Sequence, residues 1–386
     1  MRKVCGLALT LALLVSLALI SGDVEAGSPV GSTFLIYDDT NSVSEAVPSI
    51  AYNSQNNEYL VVWEAESSGT YEVWGRRVSG GGATLGSAFR ISPAGQGANP
   101  DVAYSSAANE YLVVWEHDPA VYGQRISASG ALQGSVLGIA GGASGISKCD
   151  QPAVAYGSVA DRYLVAFRYS VLGTGSTGIW VHSIQSTGSF DGIVQVSDLS
   201  DILVPEEPDL AYNGSRNEFL VVWQETPSAG DWDIYGRRVA MTGGVQTSWA
   251  AFSITNSPDD ETVPAVAAVP TVPTAGQYLV TWQTHESFLA DIQARTVSGS
   301  EALGTLHDLA NTGWGEYRPA VAGCESTYQF LAVWTWVPVS TPTAMMQVQA
   351  RTLALDGVPL HATTLVGGGQ VFDAAVAAGA SCGHLV

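Results

Sequence analysis

The sequence has few basic residues. Of its 386 residues, 15 are Lys or Arg and 36 are Asp or Glu, which gives a formal net charge of −21. Proteins that bind nucleic acid need clustered Lys and Arg to displace the counterions of the phosphate backbone. The composition therefore argues against a nucleic-acid partner. It predicts an acidic surface, and the usual role of such a surface is solubility.

Long apolar runs are also scarce, and the only one lies at the N-terminus. Two basic residues precede an apolar run over residues 5–20, and residues 24–26 (Val-Glu-Ala) form a small-x-small cleavage site. We expect residues 1–26 to be a secretory signal and residues 27–386 to be one domain, secreted or in the cell envelope and free of the membrane after cleavage. An uncleaved anchor is the alternative, because the run approaches the length that spans a bilayer.

Helical periodicity is absent from every window of the sequence. One phrase recurs instead, first as residues 58–63 (Glu-Tyr-Leu-Val-Val-Trp), with two aromatic residues four positions apart. A strand that is apolar on both faces, as this one is, is typical of a sheet covered on both sides. The further copies of the aromatic pair are Tyr111/Trp115, Tyr163/Phe167, Phe219/Trp223, Tyr278/Trp282 and Phe330/Trp334.

A Pro-x-apolar-Ala phrase precedes each copy and reads as an innermost strand. A third and a fourth, shorter strand follow, so each repeat has four strands in meander order. Steps of 52 to 56 residues between repeats, together with this strand content, predict an all-β fold, a β-propeller of four-stranded antiparallel blades. The repeats begin near Pro48, Pro100, Pro152, Pro208, Pro264 and Pro319, with a partial repeat near Ala374.

The two ends of the chain predict how the ring closes. Residues 33–37 are similar to a fourth strand, and residues 375–378 and 384–386 are similar to a first and a second strand. A composite blade made from both ends, lacking its third strand, gives seven blades. A six-bladed ring with leftover tails is the alternative. The sequence is also compatible with a truncated gene product, because the last copy of the second-strand phrase stops before its aromatic residue.

These phrases are similar to those of a known family. The second strand at residues 58–63 and the Asp-Ile-Tyr-Gly-x-Arg third strand at residues 233–238 resemble the blades of secreted bacterial β-propeller repeat proteins. The resemblance covers residues 33–386 and implies the fold without an activity. The chain lacks the Trp-Asp blade ending, the paired glycines of kelch repeats, the aspartate box of sialidase-like blades and the calcium loops of integrin-type blades.

Acidic residues concentrate on one rim of the predicted ring. The loops between strands 2 and 3 and the links from strand 4 to the next strand 1 share this rim, which we call the acidic rim. A ring of carboxylates could bind a hard cation such as Ca²⁺, and Glu45, Asp150 and Glu316 are the candidate ligands. The acidic residues of this rim are Glu45, Glu64, Glu66, Glu116, Asp118, Asp150, Glu206, Glu207, Glu225, Asp259, Asp260, Glu261, Glu286 and Glu316.

Catalytic signatures are missing: the sequence has no HExxH motif and no Gly-x-Ser-x-Gly elbow. A glycan hydrolase or lyase would need two nearby carboxylates, one of them with a raised pKa. Adjacent acidic residues on a strand point apart, so such a pair would combine different blades. The candidates are Glu206, Glu207, Asp259, Asp260 and Glu261.

Four tryptophans break the repeat and are therefore candidate ligand contacts, since indole rings stack on sugars or pack against proteins. They are Trp232, Trp249, Trp314 and Trp336, of which Trp249 lies on the less acidic rim. Cationic side chains recur at one position of the third strand, and we expect them to bridge to acidic groups of the same or the next blade. These are Arg76, Arg237, Arg295 and Arg351, with His182 in the equivalent place.

Cysteine usage fits an oxidising compartment. Cys149, Cys324 and Cys382 follow the signal segment, none at metal-ligand spacing, so we expect no zinc site. Cys324 and Cys382 lie in or near strand 1 to 2 turns of neighbouring blades, on one rim, and Cys149 lies on the other. A disulfide should therefore join Cys324 to Cys382.

The function that these observations favour is a secreted binding or scaffold module that recognises an extracellular protein or a carbohydrate on the acidic rim, with Ca²⁺ as the one cofactor considered. The alternative is a glycan-active hydrolase or lyase that uses carboxylates of the same rim.

Overall fold

The computed structural model describes residues 13–15, 34–37, 44–142, 145–198, 203–226, 230–241, 250–269, 276–285, 289–338, 346–369, 373–379, 382 and 384–386. Regular structure in these ranges is β-strand, and no helix in them is long and apolar enough to cross a membrane. The signal-peptide prediction falls almost entirely outside them. Of that segment only β1 (Leu13–Val15) is described, paired with β2 (Phe34–Tyr37).

Six four-stranded antiparallel sheets follow one another along the chain, each with its strands paired in sequence order. Blade I comprises β3 (Ser44–Asn53), β4 (Glu58–Ser67), β5 (Thr70–Ser79) and β6 (Thr84–Arg90). Blade II comprises β7 (Ala98–Ser105), β8 (Glu110–His117), β9 (Ala120–Ser127) and β10 (Leu132–Ala140). Blade III comprises β11 (Ile146–Gly157), β12 (Arg162–Val171), β13 (Thr177–Gln185) and β14 (Phe190–Gln195).

The second half of the chain repeats the pattern. Blade IV comprises β15 (Glu206–Asn213), β16 (Glu218–Glu225), β17 (Asp233–Ala240) and β18 (Phe252–Ser253). Blade V comprises β19 (Asp260–Val269), β20 (Gln277–His285), β21 (Asp291–Ser298) and β22 (Leu303–Ala310). Blade VI comprises β23 (Gly315–Cys324), β24 (Gln329–Val337), β25 (Met346–Ala354) and β26 (Thr364–Gly369). A short last sheet pairs β27 (Ala377–Ala378) with β28 (His384–Leu385).

The first strands of the blades form the inner ring. Each contacts the first strand of the next blade, from β3 through β23, and β27 then contacts both β23 and β3. The molecule is therefore an all-β propeller, as predicted. Six blades are complete in the part of the chain that the structure describes, the number in the alternative prediction. Among the described residues, the position between blades VI and I is taken by the short strands from the two ends of the chain.

The second strand explains why the blades need neighbours. In β4, Tyr59, Val61 and Trp63 lie on one face and pack against the ring-closing segment, while Leu60 and Val62 pack against blade II. The same division recurs at each interface, because side chains alternate across a strand. The tryptophans that end these phrases are almost fully buried: Trp63, Trp115, Trp223, Trp282 and Trp334.

The ring-closing segment covers two faces that would otherwise be open. Ile36, Ala377 and Leu385 pack on the aromatic face of blade I. Val386 packs with Leu331 and Val333 on the aliphatic face of blade VI. Apolar area at the ends of the series is thereby removed from water, as it is between complete blades.

The repeated arginines contact backbone carbonyls of the preceding blade, a role that the sequence did not predict. Each donates to a backbone carbonyl near the end of the fourth strand of the preceding blade, as Arg237 Nη1 does to Val196 O at 2.8 Å. Arg76 bonds Ile36 O in the same way, which places Phe34–Tyr37 as the fourth strand before blade I. The ion pair is made one position later, for example from Arg77 Nη2 to Glu58 Oε2 at 2.7 Å.

The equivalent contacts to backbone carbonyls are Arg295 to Ile254, Arg351 to Leu309 and His182 to Ile139. A carbonyl acceptor suits this position, because the fourth strand is the edge of its sheet and its outward C=O groups have no neighbouring strand to bond. The cysteines follow the blade layout: Cys324 and Cys382 form a disulfide with a Cα–Cα distance of 5.5 Å, and Cys149 is buried and free.

Ring closure can be tested at Leu385. Because this side chain is fully buried against blade I, Leu385→Ala should lower the free energy of unfolding by about 2–5 kcal/mol, measured by denaturant titration. Leu172→Ala is the matched control, since Leu172 is 65% exposed and its loss should change stability by less than about 0.5 kcal/mol. Equal effects of the two substitutions would show that the C-terminal strand does not close the ring.

Candidate functional site

A cavity of about 1040 Å³ lies on the axis of the ring, lined by the first strands and the links that lead into them. It opens on the acidic rim, where these links lie. We call its polar lining on that rim the channel mouth. The channel mouth consists of Asn99, Glu116, Lys148, Asp150, Gln151, Arg168, Glu206, Glu207 and Arg318.

Every complete first strand has a β-bulge where it enters the channel. The bulge lies at the residue before the repeated proline, which adopts a left-handed backbone with φ of 48° to 52°. A non-glycine residue pays about 1 kcal/mol or more for this conformation. In return, its N–H turns toward the preceding blade, where a side chain accepts it. The residues concerned are Val47, Asn99, Gln151, Glu207, Val263 and Arg318.

These contacts act as staples between blades. Glu64 Oε2 accepts the N–H of Asn99 at 2.9 Å, and Glu116 Oε2 accepts that of Gln151 at 2.7 Å. In the later blades the acceptors are amides: Gln224 Oε1 for Val263 at 2.7 Å and Gln283 Oε1 for Arg318 at 3.1 Å. Where this position supplies the acceptor, it needs an oxygen atom and not a charge. Two of the predicted rim acids, Glu64 and Glu116, are framework groups.

The two remaining staples differ in origin. Asp373 Oδ2 accepts the N–H of Val47 at 3.3 Å, across the ring closure. Gln151 Oε1 accepts the N–H of Glu207 at 3.0 Å, because the usual acceptor position in blade III is Arg168. That arginine is free to point into the channel mouth instead.

Asp150, a predicted cation ligand, is neutralised by two cations. Arg168 Nη2 lies 2.6 Å and Lys148 Nζ 2.7 Å from Asp150 Oδ2. Burial alone would raise the pKa of Asp150, but the hydrogen bonds from Arg168 and Lys148 outweigh burial and the pKa is lowered. The carboxylate is thus charged and already paired, an arrangement that favours a structural ion network over a metal.

The predicted pair Glu206 and Glu207 is split, as expected for adjacent residues. Glu206 forms an ion pair with Arg168. Glu207 accepts a hydrogen bond from Gln151 Nε2 at 3.3 Å. Part of its side chain is exposed in the channel, and the surrounding protein removes enough water from the carboxylate to raise its pKa. The two carboxylates therefore have different partners.

Charge at the channel mouth nearly balances. Three cations (Lys148, Arg168 and Arg318) face four acids (Glu116, Asp150, Glu206 and Glu207), with Asn99 and Gln151 among them. The channel mouth is therefore much less acidic than the chain as a whole. The channel mouth is a mixed hydrogen-bonding surface.

Sequence reasoning missed two carboxylates inside the channel, Asp101 and Asp209. Asp101 accepts from Ser49 Oγ at 2.6 Å and from the N–H of Val154 at 2.7 Å. Asp209 accepts the N–H groups of Leu210 at 2.8 Å and Val266 at 2.7 Å. The available signal was the variable position of the Pro-x-apolar-Ala phrase, which is acidic only in these two repeats.

Their surroundings disfavour ionisation. Burial raises the pKa of Asp101, and it raises that of Asp209 to about 7, with the negative charge of Asp101 adding to the effect. Both also link first strands of adjacent blades, since Asp101 reaches blade III and Asp209 reaches blade V.

The predicted acids of residues 259–261 lie at the interface of blades IV and V. Asp259 and Glu261 line a second cavity of about 430 Å³, whereas Asp260 Oδ1 accepts the N–H of Trp232 at 3.0 Å. Glu261 faces Asp233, which sequence reasoning did not single out. Burial raises the pKa of Glu261 to about 7, and Asp233 contributes.

An equivalent pair lies at the interface of blades V and VI. Glu316, a predicted cation ligand, is fully buried and faces Asp291. Burial and Asp291 raise the pKa of Glu316 to about 7. Glu45, the third predicted ligand, is also buried. Within the described residues, no group of three or more His, Cys, Asp or Glu side chains is gathered to hold a metal ion.

Two of the predicted tryptophans form a pair. The rings of Trp314 and Trp336 lie 5.7 Å apart at an interplanar angle of 57°, both half-buried, on the acidic rim of blade VI. Trp232 is also half-buried on this rim, at the blade IV to V interface. Trp249, like the rim residue Glu286, lies outside the described residues.

Comparisons with known proteins support the fold. No protein-family model and no curated protein matches the chain. Among solved structures, the parainfluenza virus 5 hemagglutinin-neuraminidase ectodomain is similar over 91% of this chain and 85% of its own, with 8% identity and a TM-score of 0.52. An endo-arabinase from Bacteroides thetaiotaomicron is similar over 70% of this chain and 95% of its own, with 14% identity and a TM-score of 0.42.

A structure of the nidogen/laminin complex also matches, over 77% of this chain and 93% of that one, with 9% identity and a TM-score of 0.41. Identities this low concern the fold alone. The chain is a β-propeller.

The raised pKa of Asp209 makes a testable prediction. An unfolded aspartate ionises near pH 4, whereas Asp209 keeps its proton to about pH 7, so the wild-type protein loses stability as pH rises between these values. Asp209→Asn removes this dependence, and its stability relative to wild type should rise from pH 4 to pH 7 in thermal melts. Asp356→Asn, in an exposed turn, is the control and should follow wild type. A parallel profile for Asp209→Asn would contradict the assignment.

Proposed function

We propose that the protein is a binding module that recognises carbohydrate on the acidic rim, through the channel mouth and the Trp314–Trp336 pair. The observation that carries this proposal is the tryptophan pair itself. Both residues depart from the repeat, so neither is needed to build a blade, and both keep part of their ring surface accessible. Indole faces combine a large apolar area with a polar N–H, which suits the faces and hydroxyls of sugars.

The chemistry of the channel mouth supports a neutral polar ligand. A polyanion or polycation is attracted by a field of one sign, whereas here three cations and four acids alternate with amides. Carboxylates, amides and guanidinium groups offer donors and acceptors together, which vicinal hydroxyls can use in pairs. Glu207 and Arg318 are exposed on this surface.

The alternative, a glycan-active hydrolase or lyase, is favoured by one observation. Asp209 has a pKa near neutrality and lies near Asp101 in the channel, as a general acid beside a second carboxylate would. Against it, both oxygens of Asp209 already accept backbone N–H groups, so its orientation serves the inner ring. The binding role needs no free carboxylate pair.

The experiment is a panel of glycans assayed for retention and for product release by the same preparation. Trp336→Ala should weaken binding of a retained glycan about fivefold, since one aromatic contact contributes ~1 kcal/mol beyond buried area. Phe190→Ala is the matched control, because Phe190 is 41% exposed and begins β14, next to a strand 3 to 4 turn on the opposite rim.

Turnover separates the two functions. We expect no product from wild type. Product release that is lost in Asp209→Asn, or in the double variant Glu206→Gln with Glu207→Gln, would overturn the binding proposal in favour of the enzyme. Failure of the wild-type protein to retain any glycan would overturn the carbohydrate proposal and leave a protein as the ligand class.

A further inference from the structure

One position of the third strand decides how the space beside the repeated aromatic residue is filled. It lies directly opposite the aromatic residue that ends the second-strand phrase, on the same face of the blade. Blades I to IV place a second aromatic ring there, whereas blades V and VI place a glutamine. In blade order, the residues are Trp74, Tyr122, Trp180, Tyr235, Gln293 and Gln349.

Where this position is a tyrosine, its ring lies beside the tryptophan in a nearly parallel orientation. The ring centroids of Trp115 and Tyr122 are 6.4 Å apart, at an interplanar angle of 23°. Those of Trp223 and Tyr235 are 6.3 Å apart, at an angle of 19°. Offset stacking of this kind is favourable for aromatic rings. Blades II and IV therefore define where a phenol ring lies relative to the tryptophan.

In blade V this ring is absent, and the second cavity, of about 430 Å³, lies beside the tryptophan. We call it the IV–V cavity. Two residues of its lining, Leu303 and Leu306, belong to the outermost strand and are 40% and 45% exposed, so the cavity is accessible from the outer wall of the ring. Its volume is in the range of small-molecule sites. Its lining includes Ile254 of blade IV and Trp282, Gln293, Leu303 and Leu306 of blade V.

Two residues of this lining carry a buried N–H donor that has no acceptor among the described residues. The first donor is Nε1 of Trp282, a side chain that is 0% exposed. In blade IV the equivalent indole, that of Trp223, donates to Glu225 Oε2 at 3.0 Å. Blade V has the shorter Thr284 in place of that glutamate, and the indole donor is left without a hydrogen bond.

The second donor is Nε of Arg295. In blade I the equivalent Arg76 donates its Nε–H to Gly86 O at 3.1 Å. In blade VI, Arg351 Nε donates to His361 O at the same distance of 3.1 Å. Arg295 Nε is buried and, within the part of the chain that the structure describes, makes no such bond. Because buried donors are normally paired, two unpaired ones on the wall of one cavity indicate a ligand that supplies an oxygen acceptor.

We propose that the IV–V cavity binds a phenol, either a small free molecule or the end of a tyrosine side chain from a peptide. The ring takes the place that Tyr122 and Tyr235 fill in blades II and IV. Its oxygen accepts the N–H groups of Trp282 and Arg295. A phenolic oxygen both accepts and donates hydrogen bonds, and the carboxylate of Asp259 in the same lining provides an acceptor for the phenolic O–H.

This inference does not rest on carbohydrate binding. The IV–V cavity shares no residue with the channel mouth or with the Trp314–Trp336 pair. A planar ring suits the cavity better than a sugar, because four blades fill the equivalent position with an aromatic side chain. The two proposals can therefore fail separately.

The test is a calorimetric titration of the full chain with p-cresol, which is the side chain of tyrosine as a free molecule. We expect a dissociation constant below about 1 mM. Gln293→Tyr should abolish binding, because the new ring fills the cavity. Gln349→Tyr is the matched control, since it makes the same exchange in blade VI and should leave the affinity for p-cresol unchanged.

Absence of binding to wild type, or equal binding to wild type and Gln293→Tyr, would overturn the proposal. Should Gln293→Tyr fail to fold, Leu306→Trp closes the cavity from the exposed outer wall and should also abolish binding. Retention of p-cresol by a folded Leu306→Trp would likewise contradict the assignment.

Recognition of the oxygen is tested with toluene, which has the ring of p-cresol without its hydroxyl. Trp282→Phe removes the Nε1 donor, so the ratio of p-cresol affinity to toluene affinity should fall about fivefold, the usual effect of one hydrogen bond. An unchanged ratio would show that only apolar packing holds the ring, against the proposal.

Two further ligands distinguish the source and the class. N-acetyltyrosinamide carries the phenol on a peptide backbone, and binding at least as tight as that of p-cresol would assign the ligand to a tyrosine side chain. Weaker binding would assign it to a free phenol, and both results support the proposal. Methyl glucoside has hydroxyls without an aromatic ring. If it binds more tightly than p-cresol and Gln293→Tyr abolishes that binding, the phenol assignment is wrong.

Discussion

Two-sided burial of the second strands is the constraint on which the rest of the structure depends. Each copy presents an aromatic face to the preceding blade and an aliphatic face to the next, as Phe219, Val221 and Trp223 do toward blade III. Neither face is complete without its neighbour, so a row of such blades has two exposed ends. Closing the ring with Ile36, Leu385 and Val386 covers both ends with only a few residues.

Ring closure brings the inner strands together and creates the polar channel. At its mouth the bulges turn backbone N–H groups toward the preceding blade, and buried N–H groups need acceptors. The acceptor is Glu64 or Glu116 in the early blades and Gln224 or Gln283 in the later ones. Either residue type meets the need, because each provides a side-chain oxygen. A count of acidic residues on the rim therefore overstates the charge available to a ligand.

The fold could be predicted from the sequence because its signals are local and repeated. The phrase at residues 58–63 specifies a strand covered on both faces, and its period specifies the blade. The staples could not be predicted from the sequence. The N–H of Gln151 and its acceptor Glu116 belong to different repeats, and neither residue type is specific to such a contact. The carboxyl pairs were missed for a related reason: Asp233 and Glu261 are joined only through the backbone register of Glu261 with Trp232.

Departures from the repeat carry more functional information than the repeat does. A residue that recurs across blades, such as the arginine of blades I, IV, V and VI that binds the preceding strand's carbonyl, answers a structural need that the blades share. Trp314, Trp336 and the two carboxyl pairs answer no such need and all lie on blades IV to VI, whereas Lys148 and Arg168 lie on blade III. The ring is thus uniform in its packing and asymmetric in its chemistry. That asymmetry supports the proposal of a ligand on the acidic rim, since a solubility role alone would not require it.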